Sequence, residues 1–269
     1  MKTIGFIGGG NMAEALMKGI IQAGLYAPHN IWVSDICSLR LEQLKNQYKV
    51  NVTADNRTLV SKTEILFLCV KPQQMSSVLE EISDSVKKGS LAISIAAGVR
   101  TEKIKAALDG IQIIRAMPNT PAMVGAGACG LYNAGASQEA MQKVEEIFSS
   151  VGKAIAVDRE ELLDAVTAVS GSGPAYFFLL MEQMIDAGRK LGLNAQSAKT
   201  LVIQTAKGAA LLIDQADQNG QSPADLRQKV TSAGGTTEAA LTVFADHSFD
   251  AIVREAIEAA NQRSRRLSN

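Results

Sequence analysis

TIGFIGGGNMA, residues 3–13, joins a short apolar run to a glycine cluster and then to an amphipathic stretch. Within it GGGNMA, residues 8–13, fits G-x-G-x-x-A directly after a predicted strand and directly before a predicted helix. Each position there has a physical task. Gly8 lets the strand turn sharply, Gly10 lets backbone approach a pyrophosphate with no Cβ in the way, and Ala13 permits close helix–strand packing. Exposed N–H groups and the positive end of the helix dipole then hold the anion. The pattern alone also fits a tight turn without ligand; the strand–loop–helix setting favours a nucleotide.

Outward from this loop, the first half alternates short apolar runs with amphipathic stretches. Residues 3–8, 31–35, 65–70, 91–97 and 111–117 read as strands, mostly continuous in apolar residues as buried parallel strands are. Helices are predicted over 11–23, 39–48, 74–87 and 101–108 between them. That order implies an α/β fold, a Rossmann-like doubly wound sheet covered on both faces. Residues 127–133 and 153–158 are candidates to close its far edge. Beyond residue 158 strand alternation stops, and 162–169, 174–191, 195–216 and 249–267 read as helix, broken at SGSGP (170–174) and NGQSP (219–223). Two domains are therefore expected, a dinucleotide-binding domain over 1–158 and an all-α domain over 159–269. In the last helix Phe249, Ile252, Val253, Ala256, Ile257 and Ala260 form one apolar stripe. Several such stripes are hard to bury in so short a domain, which points to a second subunit.

Composition narrows the classes of function. Of 269 residues 46% are hydrophobic, enough for a sizeable core, and 27 basic residues balance 27 acidic ones. That balance offers no electrostatic case for nucleic acid or an anionic membrane. The apolar run in MKTIGFIGGGNM is too short for a signal peptide. AYFFLLM at 175–181 soon meets Glu182 and Asp186, so a buried helix is expected there and not a membrane span. Cys37, Cys69 and Cys129 match no zinc spacing, so no metal is expected; they read as reduced core thiols of a cytoplasmic protein.

Asp35 ends the second predicted strand, where a carboxylate accepts from an adenosine ribose and favours NAD over NADP. Ser34, Ser38 and Arg40 stand beside it and suit a phosphate instead, so the choice between NADH and NADPH stays open. VKP (70–72) and AMPNTPA (116–122) close two further strands at the ligand edge of the sheet. In the latter, two prolines stiffen a loop whose Asn119 and Thr120 suit a nicotinamide carboxamide. The usual base of alcohol oxidation is missing. His29 and His247 read as loop or capping residues. SGSGPAYFFLLMEQ superficially resembles the β-hydroxyacid dehydrogenases, which carry a catalytic lysine soon after, but residues 170–189 contain none. Reduction of a C=N bond needs less, since the carbon is already electrophilic and a hydroxyl can serve the nitrogen. TSAGGTTEAAL, residues 231–241, offers such hydroxyls beside paired glycines at a predicted helix start, which suits a carboxylate.

With VKP, AMPNTPA, SGSGPAY and TSAGGTTEAAL in order, the chain resembles the pyrroline-5-carboxylate reductase family over essentially its whole length. PADLRQKVTSAGGTTEAALTVF (223–244) is the most specific segment, with SIAAGV (94–99) and RAMPNTPA (115–122) beside it. The resemblance implies NADPH- or NADH-dependent reduction of 1-pyrroline-5-carboxylate to L-proline, the last step of proline biosynthesis. It implies cofactor contacts at Ile7, Gly8, Gly10, Asn11, Met12, Val70, Lys71, Pro72, Ala97, Gly98, Asn119, Thr120 and Pro121. It also implies a substrate loop of Ser232, Gly234, Gly235, Thr236 and Thr237, whose N–H groups hold the carboxylate while Thr237 bonds the ring nitrogen. A homodimer or a larger ring of dimers is expected through the helical domain. Ala233 departs from the proline that often precedes the paired glycines, and Asp35 from the neutral or basic residue of many NADP-using members. A reductase of another cyclic imine, or a non-catalytic NAD(P)-binding sensor, are the alternative readings.

Overall fold

The order of elements is β1 (Ile4–Ile7), α1 (Asn11–Gln22), β2 (Ile31–Ser34), α2 (Ser38–Tyr48), β3 (Asn51–Thr53), α3 (Asn56–Lys62) and β4 (Ile65–Leu68). There follow α4 (Met75–Ile82), β5 (Leu91–Ser94), α5 (Thr101–Ala107), β6 (Gln112–Pro118), β7 (Gly127–Asn133), α6 (Gln138–Ser149) and β8 (Gly152–Val157). They come from a computed structural model that describes residues 2–268. The strands form one sheet in the order β3-β2-β1-β4-β5-β6-β7-β8. All neighbours are parallel except β6 and β7, which pair antiparallel from Ile114–Asn133 to Pro118–Cys129.

Alternation across the sheet divides the core in two. Ile4 and Phe6 face a cluster with Leu16, Phe67 and Phe148, while Ile7 faces Leu59, Leu68, Leu79 and Ile104. Phe6 stacks on Phe67 at 4.8 Å between centroids. Strands buried on both faces have no solvated side, which is why they read as unbroken apolar runs. The predicted strands and helices of this half are present, α4 ending at Ile82 where residues up to 87 were expected. Sequence reading passed over β3, α3 and α6. β3 is three half-buried residues at the sheet edge, with too little apolar pattern to register.

α7 (Leu162–Val166) runs into a wider π-turn over Thr167–Gly171. The helices that follow are α8 (Gly173–Lys190), α9 (Ala195–Asp217), α10 (Pro223–Lys229), α11 (Thr236–Asp246) and α12 (Phe249–Ser268). The chain divides into two compact units: residues up to Pro174 with those from Ala259 onward, and Ala175–Glu258. In the first unit, Ser264 on α12 donates to the buried Asp164 at 2.7 Å, and Arg100 lies 3.6 Å from the other Asp164 oxygen. Arg115, 4% exposed on β6, donates to Glu160 at 2.9 Å, and Glu160 also accepts from the N–H and hydroxyl of Thr101.

The second unit differs in kind. Among its described apolar residues only Ala198, Val202 and Ala216 are buried. The segment expected as a buried helix instead exposes Phe177 at 65%, Phe178 at 60% and Leu179 at 58%. The α12 stripe is likewise open at Phe249, Ile252 and Val253. One chain has too few elements to cover these faces. Cys37 also departs from expectation: Cys129 is buried and Cys69 half-buried, and burial pushes both thiols up, but Cys37 is exposed in the turn after β2.

Breaking the Arg115–Glu160 pair leaves a part-buried carboxylate with only its two Thr101 bonds, so Arg115→Met is expected to cost about 1–3 kcal/mol in urea unfolding at fixed protein concentration. Burial acts to raise the Glu160 pKa, but the Thr101 N–H, Arg115 and the Thr101 hydroxyl outweigh it and hold it below the ordinary value. The resulting stability is present above the unfolded carboxyl pKa and is lost as pH falls through the lower folded one. The acid limb of the stability curve should therefore be shallower in Arg115→Met than in the parent.

Candidate active site

Gly8 has a φ of 97°, and a Cβ there would stand 2.8 Å from the Cys69 carbonyl oxygen. Only glycine lets the chain leave β1 at this angle. The Gly8 N–H donates to Ser34 O at 2.8 Å, and the Cys69 N–H donates to Ile7 O at 2.8 Å. These bonds bring the glycine loop, the end of β2 and the VKP segment to one edge of the sheet. α1 begins at Asn11 on Gly10, with no side-chain cap, and a Cβ on Gly10 would meet nothing within 4 Å. An uncapped helix start beside an open backbone is a cradle for an anion, and these residues fit a dinucleotide pyrophosphate.

Asp35 turns towards this loop. Its two oxygens accept from the N–H groups of Gly9 and Cys37, each at 2.8 Å. Arg40 donates through Nε to Gly9 O at 2.6 Å and through Nη2 to Glu14. Tyr48 donates to the other Glu14 oxygen at 2.8 Å. Burial works to raise the Glu14 pKa, but the bonds from Arg40 and Tyr48 prevail and lower it. Burial, then the bond to Glu14, push Tyr48 up to about 12. Ser34 is buried and donates to Asn56 at 2.6 Å, and Asn56 donates to Glu81. Sequence reading picked out Asp35, Ser34 and Arg40 but passed over Glu14, Tyr48 and Asn56. Only an acid in the first turn of α1 hinted at Glu14; the other two arrive through tertiary contact.

At the other predicted positions, Val70, Lys71 and Pro72 follow β4, and Lys71 and Pro72 are exposed. Ala97 is half-buried, and at Gly98 a Cβ would lie 2.6 Å from the Leu267 carbonyl oxygen, so the end of α12 approaches this loop closely. Asn119 accepts from Ala128 N–H at 2.8 Å and donates to Ser170 O at 3.0 Å. Its amide thus ties β6 to β7 and to the π-turn, leaving the exposed Thr120 hydroxyl at the rim. Ile7 is fully buried, whereas Asn11 and Met12 are reachable at the start of α1.

The second unit carries the other loop. α11 starts at Thr236 on Gly235, without a side-chain cap. Gly235 N–H donates to Ser232 O at 3.0 Å, and Gly234 N–H donates to Glu238 at 2.7 Å. Neither threonine hydroxyl caps the helix. Among the described residues no acceptor is recorded for the N–H groups of Thr236 and Thr237. Ser232 and Thr236 are exposed and Thr237 half-exposed. This helix start can take a small carboxylate, with hydroxyls beside it.

A family described as "Pyrroline-5-carboxylate reductase dimerisation" matches residues 160–267, and one described as "NADP oxidoreductase coenzyme F420-dependent" matches residues 3–98. The chain is similar to a pyrroline-5-carboxylate reductase of Pseudomonas aeruginosa, 43% identical over 98% of this chain and 96% of that one. Among solved structures, a pyrroline-5-carboxylate reductase from Coxiella burnetii aligns with a TM-score of 0.93 at 39% identity, covering 100% of this chain and 99% of that one. A Plasmodium falciparum pyrroline carboxylate reductase with NADP bound aligns at 0.84 and 32% identity, over 99% and 98% of the two chains.

The space at Gly10 generates a sharp expectation. Gly10→Ala should fold with an essentially unchanged Tm, because the added methyl meets no protein atom. It should nevertheless weaken dinucleotide binding about tenfold or more in a calorimetric titration, because the methyl enters the pyrophosphate's place. Gly8→Ala should instead lose stability.

Proposed function

The chain belongs to the pyrroline-5-carboxylate reductase family, and from that premise we propose how its residues divide the work of the reaction. It reduces 1-pyrroline-5-carboxylate to L-proline with NADPH or NADH, the last step of proline biosynthesis. When bound, the reduced nicotinamide supplies a hydride to the C=N carbon. Residues 1–158 bind the dinucleotide, and 159–269 carry the substrate loop and the subunit interface.

In the first part, Gly8, Gly10, Asn11 and Met12 line the pyrophosphate cradle, with Ile7 as its buried floor. Asp35 faces the adenosine ribose, while Ser34, expected beside it, is buried behind it with its hydroxyl on Asn56. Val70, Lys71 and Pro72, with Ala97 and Gly98, border the loop. Asn119 positions Thr120 and Pro121 towards the nicotinamide. The observation that carries the substrate assignment is the start of α11, where two glycines precede Thr236 and Thr237 and no side chain caps the helix. The N–H groups of Thr236 and Thr237 receive the substrate carboxylate, Ser232, Gly234 and Gly235 shape the loop, and Thr237 donates its hydroxyl hydrogen bond to the ring nitrogen. A hydrogen bond there stabilises the electron pair released onto nitrogen as the carbon takes the hydride, the nitrogen then takes up a proton from solvent to give the secondary amine, and the carboxylate contact fixes which carbon is presented. A sensing module without turnover gives this loop no task.

The helical residues form an oligomer interface, in keeping with the dimerisation match over 160–267 and the apolar faces of α8, α9 and α12. A ring of dimers is the further step of this proposal. No helix among the described residues is long and apolar enough to cross a membrane. Three free cysteines, one of them exposed, favour a reducing cytoplasm as the place of work.

Thr237→Ala should lower kcat/KM for pyrroline-5-carboxylate tenfold or more, about 1.4 kcal/mol, in a 340 nm assay with the fold intact by circular dichroism. Unchanged kinetics would remove Thr237 from the mechanism. Light scattering at micromolar concentration should give the mass of a dimer or a multiple of it; a monomer would refute the interface.

A further inference from the structure

We propose that Glu14, held by Tyr48, sets the balance between NADPH and NADH by fixing Arg40 against the glycine loop. The inference rests on the reading that residues 8–13 hold a dinucleotide. At the end of β2, an acid recognises a free ribose 2′-hydroxyl, and a nearby arginine accommodates a 2′-phosphate. Both residue types are present here, and both hold Gly9: Asp35 takes its N–H and Arg40 its carbonyl.

What decides between them is the state of the arginine. Arg40 also donates to Glu14, whose second oxygen accepts from Tyr48 at 2.8 Å, and Gln47 donates to the Tyr48 hydroxyl at 2.9 Å. The Arg40 side chain is only 23% exposed and that of Glu14 25%, so the pair is shielded and its orientation held. Arg40 retains unused N–H donors, but a carboxylate already neutralises its charge. Asp35 adds a second negative charge at the same rim. Lys18, further along α1, is exposed and more fully screened. The rim therefore disfavours an additional phosphate, although it contains an arginine placed to meet one. Glu14 and Tyr48 are positioning residues acting through Arg40.

Glu14→Gln keeps the shape of the side chain and removes its charge. Calorimetric titration of the full chain with NADP+ and with NAD+ should show the ratio of Kd values shifting towards NADP+ by about three- to tenfold, the effect of one unit charge at partly screened range. Arg40→Gln should shift it the other way. The double variant should match Arg40→Gln alone. Tyr48→Phe, which removes only the hydroxyl that steadies Glu14, should shift the ratio about twofold towards NADP+ and carries the test if Glu14→Gln does not fold. In steady state the change should appear in the KM for the nucleotides, with kcat little altered.

A ratio unchanged in Glu14→Gln overturns the proposal. So does a gain that persists in the Arg40→Gln background, since Glu14 would then act without the arginine. Because the readout is binding, loss of the reductase reading is separable: a parent protein that binds both nucleotides without reducing pyrroline-5-carboxylate refutes that reading and leaves this inference standing.

Discussion

The contact between Gly8 and the Cys69 carbonyl governs the first unit. With a φ of 97° and no room for a side chain, Gly8 carries the chain from the middle of the sheet directly into α1. Backbone bonds from Gly8 to Ser34 and from Cys69 to Ile7 tie this turn to the strands on either side. Leu16, Met17 and Ile20 of α1 can then bury completely on the sheet. The same geometry aims the uncapped start of α1 at the carboxyl edge, so packing and the proposed anion site depend on one backbone conformation.

Helix starts differ in how their first N–H groups are satisfied. α3, α6, α9 and α10 are capped by Asp55, Ser137, Asn194 and Ser222. The first N–H of α5 is taken by Glu160 from another part of the first unit. α1 and α11 both begin on glycine with no side-chain cap. Buried or helix-end N–H groups are normally satisfied by some partner. Two uncapped glycine starts, one in each unit, are suited to the two anionic groups of the reaction, a pyrophosphate and a carboxylate.

The helical unit is organised by a different constraint. Its helices have strong apolar faces, yet few of those side chains are buried within the chain. Such exposure on Phe177, Phe178, Leu211 and Ile252 far exceeds the scattered apolar residues of an ordinary surface. In the oligomer proposed above, a second copy would supply the missing half of this core.

Much of this was legible in the sequence because short-range chemistry dictates it. Glycine spacing sets the turn after β1, continuous apolar runs mark strands buried on both faces, and the stripe on α12 records a helical period. The two proposed ligand loops stand out in the sequence because each places glycines just ahead of a helix. Tertiary structure alone decided which side chains meet. Glu14 reaches Arg40 and Tyr48 across 26 and 34 residues, and Ser34 reaches Asn56 across 22. It likewise decided that Asn119 serves the backbone and that the α8 and α12 faces lie bare. Local pattern records how each residue sits on its own element. Partners distant along the chain are chosen by how the elements pack, and that choice leaves no periodic trace in the sequence.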